Sequence, residues 1–260
     1  MGTELAAIVL AGGNDDRLAT DANAVTKAAV RFGGRPMVDW VLSALLGSSC
    51  VDRIVGVGTA SVSDASLAGS VEQLTHIAGG QRLVDSLALG LGAAACFDPA
   101  RVLIVTADLP WLTSASIDAF VSGAPPAAFV YPVVERAAME RSFPSQRRTY
   151  AHVREGAFTG GNMILIDPSV VPALLPLIDR AYRARKNPLA LAGLIGWDVA
   201  LRLVFRRLAI PVAEQRVSRL LGARARAMIT DDAAIAADVD RPEHLSYAPP
   251  SEGAVAGDTR

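Results

Sequence analysis

Ala6-Ala7-Ile8-Val9-Leu10, then Ala11-Gly12-Gly13, then a polar stretch carrying Arg17 and Lys27, is the segment whose reading decides the fold. The apolar run reads as a strand. Small residues at its end let backbone N–H groups approach a ligand closely, and a planar guanidinium and a compact ammonium follow in the same loop. Backbone donors, a fork and a point charge together suit a triphosphate. An ordinary strand-to-helix turn with surface cations fits the same residues.

Working outward, composition narrows the class. Of the 25 cationic side chains only Lys27 and Lys186 are lysine, so a lysine placed just after the glycine loop points to a need for an ammonium there. With 260 residues, 51% of them hydrophobic, the chain can bury a large core, and its net charge of −1 gives no electrostatic reason to bind nucleic acid. Cys50 and Cys96 have no metal spacing and read as reduced thiols. Glu4 stands where a signal peptide would be basic, and the longest apolar stretch, Leu189 to Val204, is interrupted by Asp198 and Arg202. The expectation is a cytoplasmic protein without stable membrane insertion.

Strand and helix patterns alternate through the first half, which predicts an α/β fold with a mostly parallel central sheet and helices on both faces. Met37 to Leu46 reads as a helix, Arg53 to Val57 as a strand, and Thr75 to Ile77 as part of another. Gly79-Gly80 then turns the chain into a helix over about Arg82 to Ala95. Val102 to Val105 is wholly apolar, as a central strand should be, and ends at Thr106-Ala107-Asp108-Leu109-Pro110. Ser114 is expected to cap a helix, followed by a strand over Ala128 to Val133. The polar segment Glu135 to Glu155 reads as an excursion, such as a hairpin, that returns through Thr159-Gly160-Gly161-Asn162 into a strand over Met163 to Ile166. Two or three helices between Val170 and Leu221 and a last strand over Ala225 to Ile229 complete the pattern. Among those helices, Ile195 to Leu208 is expected to pack on the core with its arginines outward, a membrane-surface helix being the alternative. The expected domain covers residues 1–246, with 247–260 a disordered tail.

Ligands of parallel sheets bind at the carboxyl ends of the strands. Four features fall there in this reading: the Gly12-Gly13 loop, Gly79-Gly80, Asp108, and Thr159 to Asn162. Asp108 is placed to hold Mg²⁺ on phosphate oxygens, or to cap a turn. Asp238 and Asp240, two apart, point to one side of an extended segment and offer further metal carboxylates, or form a solvated acidic turn. Asn162 suits a sugar hydroxyl or a turn. Arg147, Arg148 and Lys186 suit an anionic acceptor or a solvated face. No Ser/His/Asp arrangement stands out, and the three histidines are dispersed.

Leu10-Ala11-Gly12-Gly13, Arg17, Lys27 and Gly34-Arg35-Pro36 resemble the opening of the MobA-like nucleotidyltransferases. Ala107-Asp108-Leu109-Pro110 resembles that superfamily's metal-binding Asp-x-Pro, and Asp238-Val239-Asp240-Arg241-Pro242-Glu243 its closing acidic segment. Gly79-Gly80 with Asp85-Ser86 is similar to the stretch around the base in the cytidylyltransferases. Order and spacing agree from about Ala6 to Leu245. Two positions depart: Asp15 stands at the usual second glycine and Thr26 at the usual proline before the lysine.

The resemblance implies a Rossmann-like three-layer α/β/α nucleotidyltransferase fold. It implies that Leu10, Ala11, Gly12, Gly13, Arg17, Lys27, Gly79, Gly80 and Ser86 surround the nucleotide, and that Arg17, Lys27 and Asp108 act in catalysis. Mg²⁺ would be held by Asp108, Asp240 and, as a weaker candidate, Asp238. Arg148, Gly161, Asn162 and Lys186 remain for the acceptor. The expected reaction moves an NMP group from an NTP to a small, phosphorylated acceptor with release of pyrophosphate. A glycosyltransferase using a sugar nucleotide, or an inactive nucleotide-binding regulator, is the alternative. Partners are then an NTP and a small-molecule acceptor, with self-association into a homo-oligomer left open.

Overall fold

The computed structural model describes residues 4–11, 17–22, 24–59, 73–185 and 187–247, with Arg17 and Asp21 described through their backbone only. β1 (Leu5–Leu10) is buried along its whole length and pairs in parallel with β4 (Arg53–Val57) on one side and β6 (Arg101–Thr106) on the other. β5 (Leu74–Ile77) extends the sheet beyond β4, again in parallel. Past β6 the order continues through β10 (Met163–Ile166), β7 (Phe129–Glu135), β9 (Gly156–Gly160) and β8 (Ala151–Val153), while β11 (Ala225–Thr230) pairs with β7. Among the described residues this is one nine-stranded sheet, in which β9 and β10 run against the rest, beside a short hairpin of β2 (Arg31–Phe32) and β3 (Arg35–Pro36) that follows α1 (Arg17–Asp21). The expected α/β fold with a mostly parallel sheet is what forms.

Alternation along β1 builds the layers. Leu5, Ala7 and Val9 face α2 (Met37–Leu46) and α4 (Ser114–Gly123), packing with Val38, Val41, Leu42, Leu45, Ile117 and Phe120. Ala6, Ile8 and Leu10 face α3 (Leu83–Ala95), α6 (Val171–Ala184) and α9 (Ile210–Leu221) through Leu87, Leu91, Leu174 and Leu221. Each fully buried Leu, Ile or Val adds about 1.5–3 kcal/mol relative to exposure, which is why an all-apolar strand is stable only in the middle of such a sandwich. A third cluster, with Phe32, Trp40, Trp111, Met139 and Phe143, supports the carboxyl end of the sheet.

Several local expectations are corrected. Thr113 rather than Ser114 caps α4: its extended backbone lets Oγ1 accept from Ser116 N at 3.1 Å. The excursion is not a hairpin throughout, because α5 (Arg136–Ser142) precedes the β8–β9 hairpin. Among the described residues four helices, not two or three, lie between Val170 and Leu221, since Gly196 at φ +96° separates α7 (Pro188–Ile195) from α8 (Trp197–Val204). α8 buries Val199 but leaves Trp197, Leu201 and Val204 more than half exposed, so it does not pack its apolar face on the core as expected. Tyr247, assigned to the tail by composition, stacks edge-on against Trp111 and Phe143, and residues 248–260 lie outside the described part. No helix among the described residues is long and apolar enough to cross a membrane.

Candidate active site

The carboxyl ends of β1, β4, β5 and β6 converge. Ala11 N donates to Val57 O at 3.0 Å, and Ala107 N donates to Leu10 O at 3.1 Å, so the exits of three strands are stitched together. Gly79 and Gly80 follow β5 and lie against the first turn of α3, where Gly80 N donates to the buried Ser86 Oγ at 3.0 Å. A Cβ on Gly80 would sit 2.5 Å from Asp85 Cβ and 2.9 Å from Ser86 N, so only glycine fits this approach. A cavity of about 110 Å³ lies among Leu10, Ala11, Lys27, Leu83, Thr106 and Asp108. Gly12, Gly13, Asp15 and Lys186, and the side chain of Arg17, lie outside the described residues.

Asp108, two residues beyond β6, meets the closing acidic segment through Val239 N, which donates to Asp108 O at 3.1 Å. That contact brings carboxylate oxygens of Asp108, Asp238 and Asp240 within 4.8 Å of one another. Two cations answer them. Lys27 Nζ lies 2.6 Å from Asp108 Oδ2 and also bonds Asp240 Oδ1, while Arg148 Nη1 pairs with Asp238 Oδ1. Burial works against the Lys27 ammonium, but Asp108 and Asp240 outweigh it and hold its pKa above the ordinary lysine value. Burial pushes Asp238 up to about 6, against the pull of Arg148 and with the help of Asp108 and Asp240. Burial opposes ionisation of Asp240 too, yet hydrogen bonds from Asp238 and Lys27 bring its pKa below the usual aspartate value.

Three acids and two bases leave a net negative charge, and Asp108 Oδ1 is buried without a hydrogen-bond partner among the described residues. An all-oxygen donor set with a free, buried lone pair fits a hard divalent cation. Thr26 Oγ1, Gln146 Oε1 and Asn162 Nδ2 are buried and unpartnered in the same sense, so most of the described orphan polar atoms collect on residues of this end of the sheet.

The acceptor candidates divide. Arg148 is turned onto Asp238, and its Nε donates to Thr159 Oγ1 at 3.2 Å. With Arg147, Arg241, Thr149 and His244 it lines a cavity of about 270 Å³ beside Asp238 and Asp240. Asn162 is fixed through its backbone, its carbonyl accepting from Thr106 N at 3.2 Å, while its side-chain Nδ2 has no partner among the described residues. Thr159 and Gly160 end β9, and Gly161-Asn162 lead into β10, a strand whose antiparallel pairing with β6 sets Asn162 beside the carboxyl end of β6. Gly161 is a packing residue: a Cβ there would lie 2.8 Å from both Ile235 and Pro132 side chains.

Sequence reading missed Gln146, whose Nε2 donates to Asp238 O at 2.8 Å, and His244, whose Nδ1 accepts from Asp240 N at 3.2 Å. Gln146 carries no motif signal. His244 directly follows the closing acidic segment, which was its only cue.

A three-layer α/β/α sheet with a carboxylate–lysine cluster at its carboxyl edge defines a nucleotide-dependent transferase. Residues 7–192 match the MobA-like NTP transferase domain, and the chain belongs to that family. It is a nucleotidyltransferase. A hypothetical transferase from Thermus thermophilus is 40% identical, with 94% of this chain and 100% of that one aligned at a TM-score of 0.82. The 4-diphosphocytidyl-2C-methyl-D-erythritol synthase of Anaerococcus prevotii aligns over 94% of this chain and 96% of its own at 12% identity and a TM-score of 0.54. The 2-C-methyl-D-erythritol 4-phosphate cytidylyltransferase of Thermus thermophilus does so over 94% and 96% at 15% identity and 0.51. These last two likenesses are of fold. No curated protein matches the sequence significantly.

Proposed function

We propose that this protein is a cytoplasmic, Mg²⁺-dependent enzyme that transfers an NMP group from an NTP to a small phosphorylated acceptor, releasing pyrophosphate. The observation that carries the reading is the clustering of Asp108, Asp238 and Asp240, the first and last of them bonded to Lys27, next to a pocket lined by Arg147, Arg148 and Arg241. The acceptor phosphate, with a second pKa of about 6, is already ionised at neutral pH. Its oxygen attacks the α-phosphorus, the α–β P–O bond breaks, and pyrophosphate leaves with that electron pair, so no side chain has to take a proton. This accounts for a site made of cations and carboxylates.

Asp108 and Asp240, with Asp238, would hold Mg²⁺, which when bound neutralises phosphate charge. Lys27 exchanges its carboxylate partners for phosphate oxygens as the nucleotide enters, and Arg17 supports the same charge from the start of α1. Leu10, Ala11, Gly12 and Gly13 give the triphosphate its backbone donors, and Gly79, Gly80 and Ser86 border the nucleoside. Arg148, Asn162 and Lys186 serve the acceptor, with Gly161 holding the turn beside Asn162. The test is pyrophosphate release from each NTP against a panel of phosphorylated metabolites, with and without a chelator. Release dependent on one NTP, one acceptor and Mg²⁺ supports the reading; NTP binding without release in any combination, or NDP-sugar binding in preference to NTP, sinks it.

A further inference from the structure

An apolar cavity that borders the active site has no part in the reading above. It measures about 340 Å³, within the ordinary range for ligand pockets, and lies on the outer face of the β7–β9–β8 sheet beneath α8 and α9. Phe129, Tyr131, Val153, Phe158, Leu208 and Val217 supply its walls. Glu214 and Arg226 also border it, and they spend their charges on each other at 3.4 Å, while Glu214 accepts from Ala227 N at 2.9 Å.

This cavity meets the arginine pocket at Thr159, which borders both. The β8–β9 ladder stops just short of that point. β8 begins at Ala151, paired with Phe158, so Thr159 and Gly160 have no β8 residue beside them. Gly160 makes room at that edge for the Tyr131 hydroxyl, which takes the space a Cβ would fill. The Tyr131 hydroxyl makes no hydrogen bond to another described residue. Burial raises its pKa and Arg148 opposes the rise, which places the phenol end within the arginine's field. An arginine-lined pocket at one end and an apolar cavity at the other have the polarity of a single amphiphile.

We propose, resting on the transfer reading above, that the acceptor is a phosphate monoester of an apolar chain. Its phosphate lies at Arg147, Arg148 and Arg241, and its alkyl or alkenyl tail passes Thr159–Gly160 into the cavity under α8. The outer wall agrees with this chemistry. Leu203 of α8 lines the cavity, and the apolar surface continues outward through Trp197, Leu201, Val204 and Phe205, all more than half exposed, with Arg202, Arg206 and Arg207 beside them.

Ethyl, butyl, hexyl and octyl phosphate, titrated calorimetrically into the intact protein, test the proposal. Affinity should rise about fourfold per methylene until the cavity is filled. Ala213 and Val153 both line the cavity, so Ala213→Phe and, independently, Val153→Phe fill it and should flatten the rise while leaving ethyl phosphate binding unchanged; thermal melting shows which variant is folded. Affinity independent of chain length in the wild type, or an undiminished rise in a folded, filled variant, overturns the proposal. Sedimentation with phosphatidylcholine vesicles containing hexadecyl phosphate separates the two sources. Co-pelleting indicates a bilayer-held acceptor and its absence, with octyl phosphate still bound, a free one; both support the shared chemistry. NTP binding and pyrophosphate release with a flat chain-length series would refute the amphiphile alone. A steep series without NTP binding would refute nucleotidyl transfer alone.

Discussion

Lys27→Ala should lower resting stability and turnover together, yet increase the stabilisation that Mg²⁺ confers. The ammonium lies 2.6 Å from Asp108 and also bonds Asp240. Without it, carboxylates whose oxygens lie within 4.8 Å of one another face each other with Arg148 as the one ion-paired counter-charge among the described residues. At ~4 Å and an effective dielectric near 20, two like charges repel by about 4 kcal/mol. Stranding a fully buried charge costs about 3–5 kcal/mol, but Asp240 is 57% exposed and its share is screened, so about 2 kcal/mol is expected overall. For a chain of this size that is a fall in Tm of roughly 4–8 °C. Mg²⁺ added without nucleotide should recover most of the fall and shift the wild type less, because there the ammonium competes for the same oxygens. Calorimetric melting with and without Mg²⁺ reads both effects. Turnover should drop by about 10²–10³, the cost of removing one charge-stabilising donor. A variant as stable as the wild type, with an equal or smaller Mg²⁺ shift, would show that Lys27 does not hold the carboxylates.

Asp108→Asn should abolish Mg²⁺-dependent turnover with Tm within a few degrees of wild type, and Asp240→Asn should lose more activity than Asp238→Asn, whose carboxylate is already paired with Arg148; steady-state pyrophosphate assays rank them. Gly80→Ala should weaken NTP binding about tenfold or more by forcing the loop off Asp85 and Ser86 N, measurable by calorimetry. Asp118 accepts from Ser48 Oγ at 2.5 Å and Ser49 N at 3.1 Å, tying α4 to the end of α2; burial opposes its ionisation, but these bonds hold its pKa below the ordinary value. Its contribution is therefore present above about pH 4 and lost as pH falls through the depressed folded pKa, so Asp118→Ala should cost about 1.5 kcal/mol at pH 7 and progressively less in acid, read by urea unfolding across pH.

What sequence could show was whatever depends on local pattern. β1, α2, β4, β6 and β10 have apolar periods strong enough to place them, and Asp108 was legible because it leaves a wholly apolar strand. The spacing of Asp238 and Asp240 predicted that both carboxylates point one way, and both belong to the cluster. Long-range choices were not legible. Nothing in Lys27 says that its resting partners lie 81 and 213 residues away, nor in Arg148 that it turns onto Asp238. Gln146 enters the site only because the segment after α5 folds back over the closing acidic residues. The region from Val170 to Leu221 was misjudged because Gly196 breaks one apolar pattern into two helices, and because exposure of α8 is a property of its neighbours rather than of its own period.

The most direct test follows the α-phosphorus. With an NTP labelled at that atom, Mg²⁺ and a competent acceptor, the label should move onto the acceptor while unlabelled pyrophosphate appears in equal amount, and chelation or Asp108→Asn should stop both. Label retained in free nucleotide, or transfer that persists in Asp108→Asn at the wild-type rate, would contradict metal-assisted nucleotidyl transfer at this carboxylate–lysine cluster.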